Sequence, residues 1–415
     1  MNKPSSASPL ASRTCGAIIG GCLLASAAAP SGWAADGDTP PADWLDTVKL
    51  SGHIEAGITG NPASPSDGLN FGYLFTDRAN TPLMNQLMLT AERPLDPKAT
   101  GYDFGFKLQG MYGSDARYTH GFNELDRVIG SRYQVDIVEA NGVVHLPWLT
   151  EGGIDAKIGQ FSSPMSAEVI DATGNIFYSH SYIFNFGVPF KNTGILTTTH
   201  VNPIVDLYAG ADTGVNAWVG AKGDNNSSGA GQFGIGLNLM GGNLTILGLS
   251  HIGPENPNDN HDLRYVNDIT ATLKLSDALT LITDVNYIRD DGLHAIGYGA
   301  AQYVAYTLDD HWSLAARGEI WRDNAGAFVA AFPGNLDFIN SERGLAPATV
   351  ISGGRTTYGE LTLGVNYKPE VPKMIEGFVI RPELRFDEAL NGTTPFNAGT
   401  SSHQVTLATD FVLPF

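Results

Sequence analysis

The stretch Gln404-Val405-Thr406-Leu407-Ala408-Thr409-Asp410-Phe411-Val412-Leu413-Pro414-Phe415 alternates between two kinds of side chain. Val405, Leu407, Phe411, Leu413 and Phe415 fall on one face, with Thr409 their only polar member. Gln404, Thr406 and Asp410 fall on the other. Successive residues of a strand point to opposite faces, so one face can meet lipid while the other meets water. Such a strand must first exist as an open edge and then close a sheet. An aromatic terminus on it suits recognition by barrel-assembly machinery, and Phe411, Leu413 and Phe415 would carry that signal. Pro414 has no N–H to donate, so pairing is expected to fray at the last residue.

Working outward, the same period recurs. In 377–387, Phe378, Ile380, Leu384 and Phe386 oppose Arg381, Glu383, Arg385 and Asp387. In 358–367, Leu361, Leu363, Val365 and Tyr367 oppose Glu360, Thr362 and Asn366. Windows 49–59, 268–276 and 312–321 repeat the pattern. Ile282 and Ile288 break it, because they share a face with Asp284 and Asn286. Phe378 and Phe386 stand roughly 20 Å apart in height on a tilted strand, close to the separation of two interfacial girdles. Short turns such as 241–243, 276–277 and 309–311 alternate with polar stretches at 252–264, 289–297, 323–355 and 388–401. Short turns on one side and long loops on the other are the asymmetry of outer-membrane barrels. The expected fold is all-β: a transmembrane antiparallel β-barrel of about 16 strands (14–18).

Composition agrees. Charged residues make up 16%, below the roughly 25% of soluble domains, and mean hydropathy is -0.07. No apolar run after residue 34 is long enough for a transmembrane helix. Residues 1–34 read as a signal peptide. Lys3 and Arg13 supply a basic start, 15–29 an apolar segment, and Gly32-Trp33-Ala34 a small-residue cleavage site. Cys15 and Cys22 would leave with it. Residues 35–48 form a periplasmic lead, and the barrel occupies 49–415. Losing Lys3 and Arg13 takes the net charge from -19 to -21. That balance argues against nucleic acid and favours cations near a pore mouth. The implied place is the outer membrane of a Gram-negative bacterium. Partners there are membrane lipid, lipopolysaccharide and the assembly machinery; a homo-oligomer is open.

The middle of the chain resembles the OmpL-like β-barrel porin family. The carrying residues are Ala156-Lys157-Ile158-Gly159-Gln160-Phe161, Asn175-Ile176-Phe177-Tyr178-Ser179-His180-Ser181-Tyr182, 186–189, Asn192-Thr193-Gly194, Gly214-Val215-Asn216-Ala217-Trp218 and Gly223-Asp224-Asn225-Asn226. The resemblance implies a porin: a water-filled channel for passive diffusion of ions and small hydrophilic solutes. The alternatives are a plugged structural or adhesive barrel acting through its loops, and a soluble exported β-protein.

Parity makes 162–190 the third extracellular loop. It holds Met165, Ile170, Ile176, Phe177, Tyr178, Tyr182, Ile183, Phe184 and Phe186, too much apolar surface for a loop in water. It is therefore expected to fold into the lumen. Glu168 and Asp171 would then face the aqueous path, opposite Lys157, Arg317, Arg381 and Arg385 on the wall, with Glu319 and Glu383 beside them. A second reading pairs Arg317 with Glu319, and Arg381 and Arg385 with Glu383 and Asp387, as stiffening of the wall. Ser179-His180-Ser181 cannot form a catalytic group on one strand face. His251, Asp259 and His261 lack metal-ligand spacing. No enzyme, cofactor or metal is expected.

Overall fold

The structure, a computed structural model, describes residues 44–219, 224–372 and 377–415. The expected signal peptide and residues 35–43 of the expected lead lie outside them. Trp44–Thr47 form a short 3-10 turn.

Eighteen strands follow. The first five are β1 (Lys49–Gly60), β2 (Pro82–Arg93), β3 (Asp103–Gly113), β4 (Gln134–Leu146) and β5 (Ile154–Ser162). Next come β6 (Lys191–His200), β7 (Val205–Asp212), β8 (Ala230–Leu239), β9 (Leu244–Pro254) and β10 (Leu263–Lys274). Then come β11 (Leu279–Asp290), β12 (Ala295–Thr307) and β13 (Trp312–Asp323). A small ladder, β14 (Ala330–Ala331) with β15 (Ile351–Ser352), lies within loop 324–355. The last three are β16 (Thr356–Tyr367), β17 (Val379–Ala389) and β18 (His403–Pro414). Leaving out β14 and β15, every strand pairs antiparallel with its neighbour, and β18 returns to β1. The result is a closed sixteen-stranded barrel with no free edge.

The alternation reads directly onto the two faces. Leu361, Leu363, Leu384, Phe386, Leu407 and Phe411 point outward and are exposed, as a lipid-facing band requires. Aromatics gather at the side of the short turns: Trp312 stacks on Tyr367 with ring centroids 4.2 Å apart. Amphipathic rings suit that interfacial depth. Two expectations need correction. The long loop at 289–297 is a tight hairpin, because Asp290 pairs with Ala295 and His294 takes a φ of 50°. The end of β18 does not fray either: Gly52 and Phe415 exchange two backbone hydrogen bonds of 2.8 Å. Pro414 faces His53 in the next pair along, a non-hydrogen-bonded one, so its missing N–H is turned away from β1. On that side the ladder to β17 has already stopped, at Val379 opposite Val412.

Gly52 makes this seam possible. A Cβ there would lie 2.6 Å from the Met88 carbonyl oxygen and 2.7 Å from the Phe415 ring. Gly52→Val should weaken closure by about 1–3 kcal/mol, the usual cost of overpacking. The check is the temperature at which the folded band converts to the unfolded one on a detergent gel. An unchanged temperature would show that the seam is loose.

The interior is not uniformly wet. Leu69, Phe71, Tyr73, Leu74 and Phe75 from loop 61–81 are buried, as are Phe177, Tyr182 and Ile183 from loop 163–190. Leu69, Phe71, Phe177, Tyr182 and Ile183 pack on inward-facing Val266, Ile282, Ile288, Tyr303, Trp321 and Tyr358, while Leu74 and Phe75 pack in a second cluster with Met88, Met111 and Val138. This explains the ragged β11. Ile282 and Ile288 share the inner face with Asp284 and Asn286 because part of that wall touches an apolar loop rather than water.

Candidate functional site: a loop clamped inside the barrel

A loop of irregular backbone inside a barrel leaves many N–H and C=O groups without secondary-structure partners, and each must be satisfied. In 163–190 the wall side chains do this. The two carboxylate oxygens of Glu319 on β13 accept from the backbone N–H of Tyr182 (2.7 Å) and Ile183 (2.9 Å). Glu383 on β17 accepts from the N–H of Tyr178 (3.0 Å) and Ser179 (3.1 Å). Asp268 on β10 accepts from the N–H of Ser166, and Asp284 on β11 from that of Ala167, both at 2.8 Å.

Three guanidiniums serve the carbonyls. Arg317 donates to Ser179 O (2.8 Å), Arg385 to His180 O (2.6 Å), and Arg381 to Ala172 O (2.9 Å) and Asn175 O (2.7 Å). Their charges are met by carboxylates. Arg317 bonds Glu168 within the loop at 2.7 Å and Glu360 on β16 at 3.2 Å. Arg385 bonds Asp387 at 2.8 Å. Arg381 bonds Glu55 at 2.9 Å and also Asp410. Aromatic rings complete the packing: Tyr182 stacks on Tyr358 at 4.9 Å, and Arg385 lies 4.2 Å from the ring centroid of Tyr73, which comes from loop 61–81.

The loop also needs absent side chains. Cβ atoms at Gly57 and Gly364 would lie 2.7 Å from the Tyr178 ring and 2.9 Å from the Phe177 ring. These inward glycines are the sockets into which the two aromatics fit.

The candidate residues thus fall into two groups. Arg317, Glu319, Arg381, Glu383 and Arg385 point inward, and Glu168 lies on the loop, but all six are buried at 5% exposure or less. Where an open aqueous ring is expected, the structure has a dry clamp. The reason is that the loop backbone, not water, takes up their hydrogen-bonding capacity. Of the expected wall pairs, Arg385 with Asp387 does form, whereas Glu319 and Glu383 spend their oxygens on backbone N–H groups and Arg317 and Arg381 turn to other carboxylates. Lys157 and Asp171 form the second group. Lys157 is half-buried with its ammonium 5.7 Å from the Phe161 ring centroid. The Asp171 side chain keeps 29% exposure and accepts from Gln109 Nε2 at 3.0 Å. Nearby Lys107 on β3 keeps 31% and lies 3.6 Å from Glu139.

Several clamp members escape sequence reading. Glu55, Asp268, Glu360 and Asp410 look like ordinary polar alternation. Asp284 did carry a signal, as an acid on a face shared with isoleucines.

Comparison with known proteins adds the family. The profile described as "Putative beta-barrel porin-2, OmpL-like" matches residues 47–415. No curated protein matches. Among solved structures, the anion-selective porin from Comamonas acidovorans is 10% identical, with a TM-score of 0.54 over 89% of this chain and 99% of that one. OprB of Pseudomonas putida is 12% identical, with a TM-score of 0.53 over 90% and 95%. The outer-membrane channel DcaP of Acinetobacter baumannii is 12% identical, with a TM-score of 0.52 over 89% and 97%. Identities this low carry the fold alone, whereas the family match spans the whole barrel. The chain belongs to the OmpL-like β-barrel porin family and is a sixteen-stranded porin of the bacterial outer membrane.

Proposed function

We propose that this porin conducts ions and small hydrophilic solutes passively, along a path that runs beside the inward loop. One observation carries the reading. The loop's wettest stretch is 171–176, where Thr173 is exposed and Asp171 is partly so, beside partly exposed Lys107 on β3. Opposed charges so placed orient dipolar solutes and set ion preference. No bond is made or broken in this function; the protein supplies a wet path through lipid. Lipopolysaccharide, lipid and the assembly machinery are the partners that suit the outward band and the β18 terminus.

The test is ion selectivity in a planar bilayer. A unit charge about 5 Å from a passing ion in a water-like medium is worth about 0.8 kcal/mol, or about a fourfold change in relative permeability. Asp171→Lys changes the charge by two units. It should lower the cation-to-anion permeability ratio by more than that factor, read as a shift in reversal potential under a salt gradient. An unchanged reversal potential places the path elsewhere.

The dry packing of loops 61–81 and 163–190 favours a second reading, a plugged barrel that acts through its outer loops. Steady conductance steps from the intact protein would exclude it.

A further inference from the structure

A cavity lies at the end of the barrel where the long loops gather. It measures about 230 Å³ and sits between residues 185–190, loop 255–262, loop 324–355 and the adjoining ends of β10 and β11. Its walls are mixed: Phe186, Phe328 and Phe338 supply aromatic faces, and polar groups such as Asn185, Asn256 and Ser341 stand among them. Three charged side chains line it as well: Arg264, Glu255 and Glu342.

The charges do not balance. Arg264 is already engaged, its Nε donating to Asp290 at 2.7 Å. Glu255 is 95% buried, being 5% exposed. One of its oxygens accepts from the Val215 N–H at 2.8 Å, and the other, Oε1, has no hydrogen-bond partner. Behind it His251 Nδ1 stands 3.8 Å away, too far for a hydrogen bond, while the other ring nitrogen is held by Asp212 at 3.1 Å. The Glu342 carboxylate has no ion pair or hydrogen bond among the described residues. Burial pushes both carboxyls up, Glu255 to about 7, with His251 and Arg264 opposing for Glu255 and Arg264 opposing for Glu342. The lining sets two carboxyl groups against one guanidinium that Asp290 already neutralises, so an entering cation would draw the carboxyls into their charged form. A buried carboxylate without a partner is costly. Aromatic faces attract cations.

We propose that this cavity is a binding site for a small organic cation, an ammonium group carried on an apolar or aromatic body. The ammonium lies between Glu342 and the free oxygen of Glu255, and the body lies against Phe186, Phe328 and Phe338. Since a water takes about 30 Å³ of liquid, the space suits a body of roughly eight non-hydrogen atoms. The site is independent of whether the barrel conducts.

Benzylamine is the probe, titrated into the purified full chain in detergent by calorimetry or ligand-observed NMR. Benzyl alcohol and benzoate are its neutral and anionic counterparts. Benzylamine should bind at least tenfold more tightly than either. The double variant Glu255→Gln with Glu342→Gln should lose at least tenfold, with its folded gel band retained. Equal binding of benzylamine and benzyl alcohol, a preference for benzoate, or no binding of benzylamine would overturn the proposal. So would a folded double variant that binds as the parent does. Should the double variant not fold, the comparison of three probes on the parent protein decides.

Discussion

Arg317→Met should destabilise the barrel by about 3–5 kcal/mol, the cost of removing one partner from a buried charge cluster. Arg317 has no exposure at all. It joins Glu168, Glu360, Ser179 O, Ser179 Oγ and Thr362 Oγ1, all within 3.3 Å. Glu360 also stands directly across the sheet from Glu319. Without the guanidinium, three carboxylates share one dry region and the loop loses an anchor at Ser179. The expected readout is a lower midpoint for unfolding in detergent, together with noisier single-channel current as the loop detaches. Adding Glu360→Gln should recover part of the loss, because it removes one of the stranded charges. A double-mutant cycle then isolates the coupling. A variant as stable as the parent would mean that the cluster is solvated and the clamp is not what holds the loop.

Deleting 164–180 should raise single-channel conductance severalfold while leaving a closed barrel. The segment contributes Met165, Ile170, Phe177 and Tyr178 to the packed interior, and none of its residues belongs to the sixteen-strand ladder. β5 and β6 are hydrogen-bonded neighbours, so the shortened connection still joins them easily. Asp268, Asp284, Arg381 and Glu383 would then face water, where their charges are cheap. They would line the lumen as an ordinary wide barrel's wall does. Heat-modifiable migration checks that the barrel closes, and bilayer steps measure the path. Conductance equal to the parent's would show that the loop does not narrow the lumen. Steps seen only after deletion would show that the loop is a plug.

The barrel itself was legible because lipid enforces a period of two. Residues such as Leu384, Phe386, Leu407 and Phe411 meet oil whatever happens inside, so their spacing survives every detail of tertiary packing. Loop 163–190 was legible as an inward loop for a related reason: its aromatics had no place in water. The tight hairpin at 291–294 was missed, because Asp290, Asp291 and Gly292 read as loop composition although the flanking strands extend through them. The fate of Pro414 was missed because its effect depends on which neighbour its nitrogen faces.

What sequence alone determined is the sheet, its closure by β18, its outward face and the presence of a loop too apolar to stay outside. What only the tertiary structure decided is the meaning of the inward charges. Arg317, Glu319, Arg381, Glu383 and Arg385 would look the same in the chain whether they lined water or gripped a backbone. The difference lies in what fills the space opposite them, and that is set by contacts between residues such as Glu319 and Tyr182, far apart along the chain. Alternation records which solvent a face meets, but an inner face has two possible neighbours, and no local pattern tells them apart.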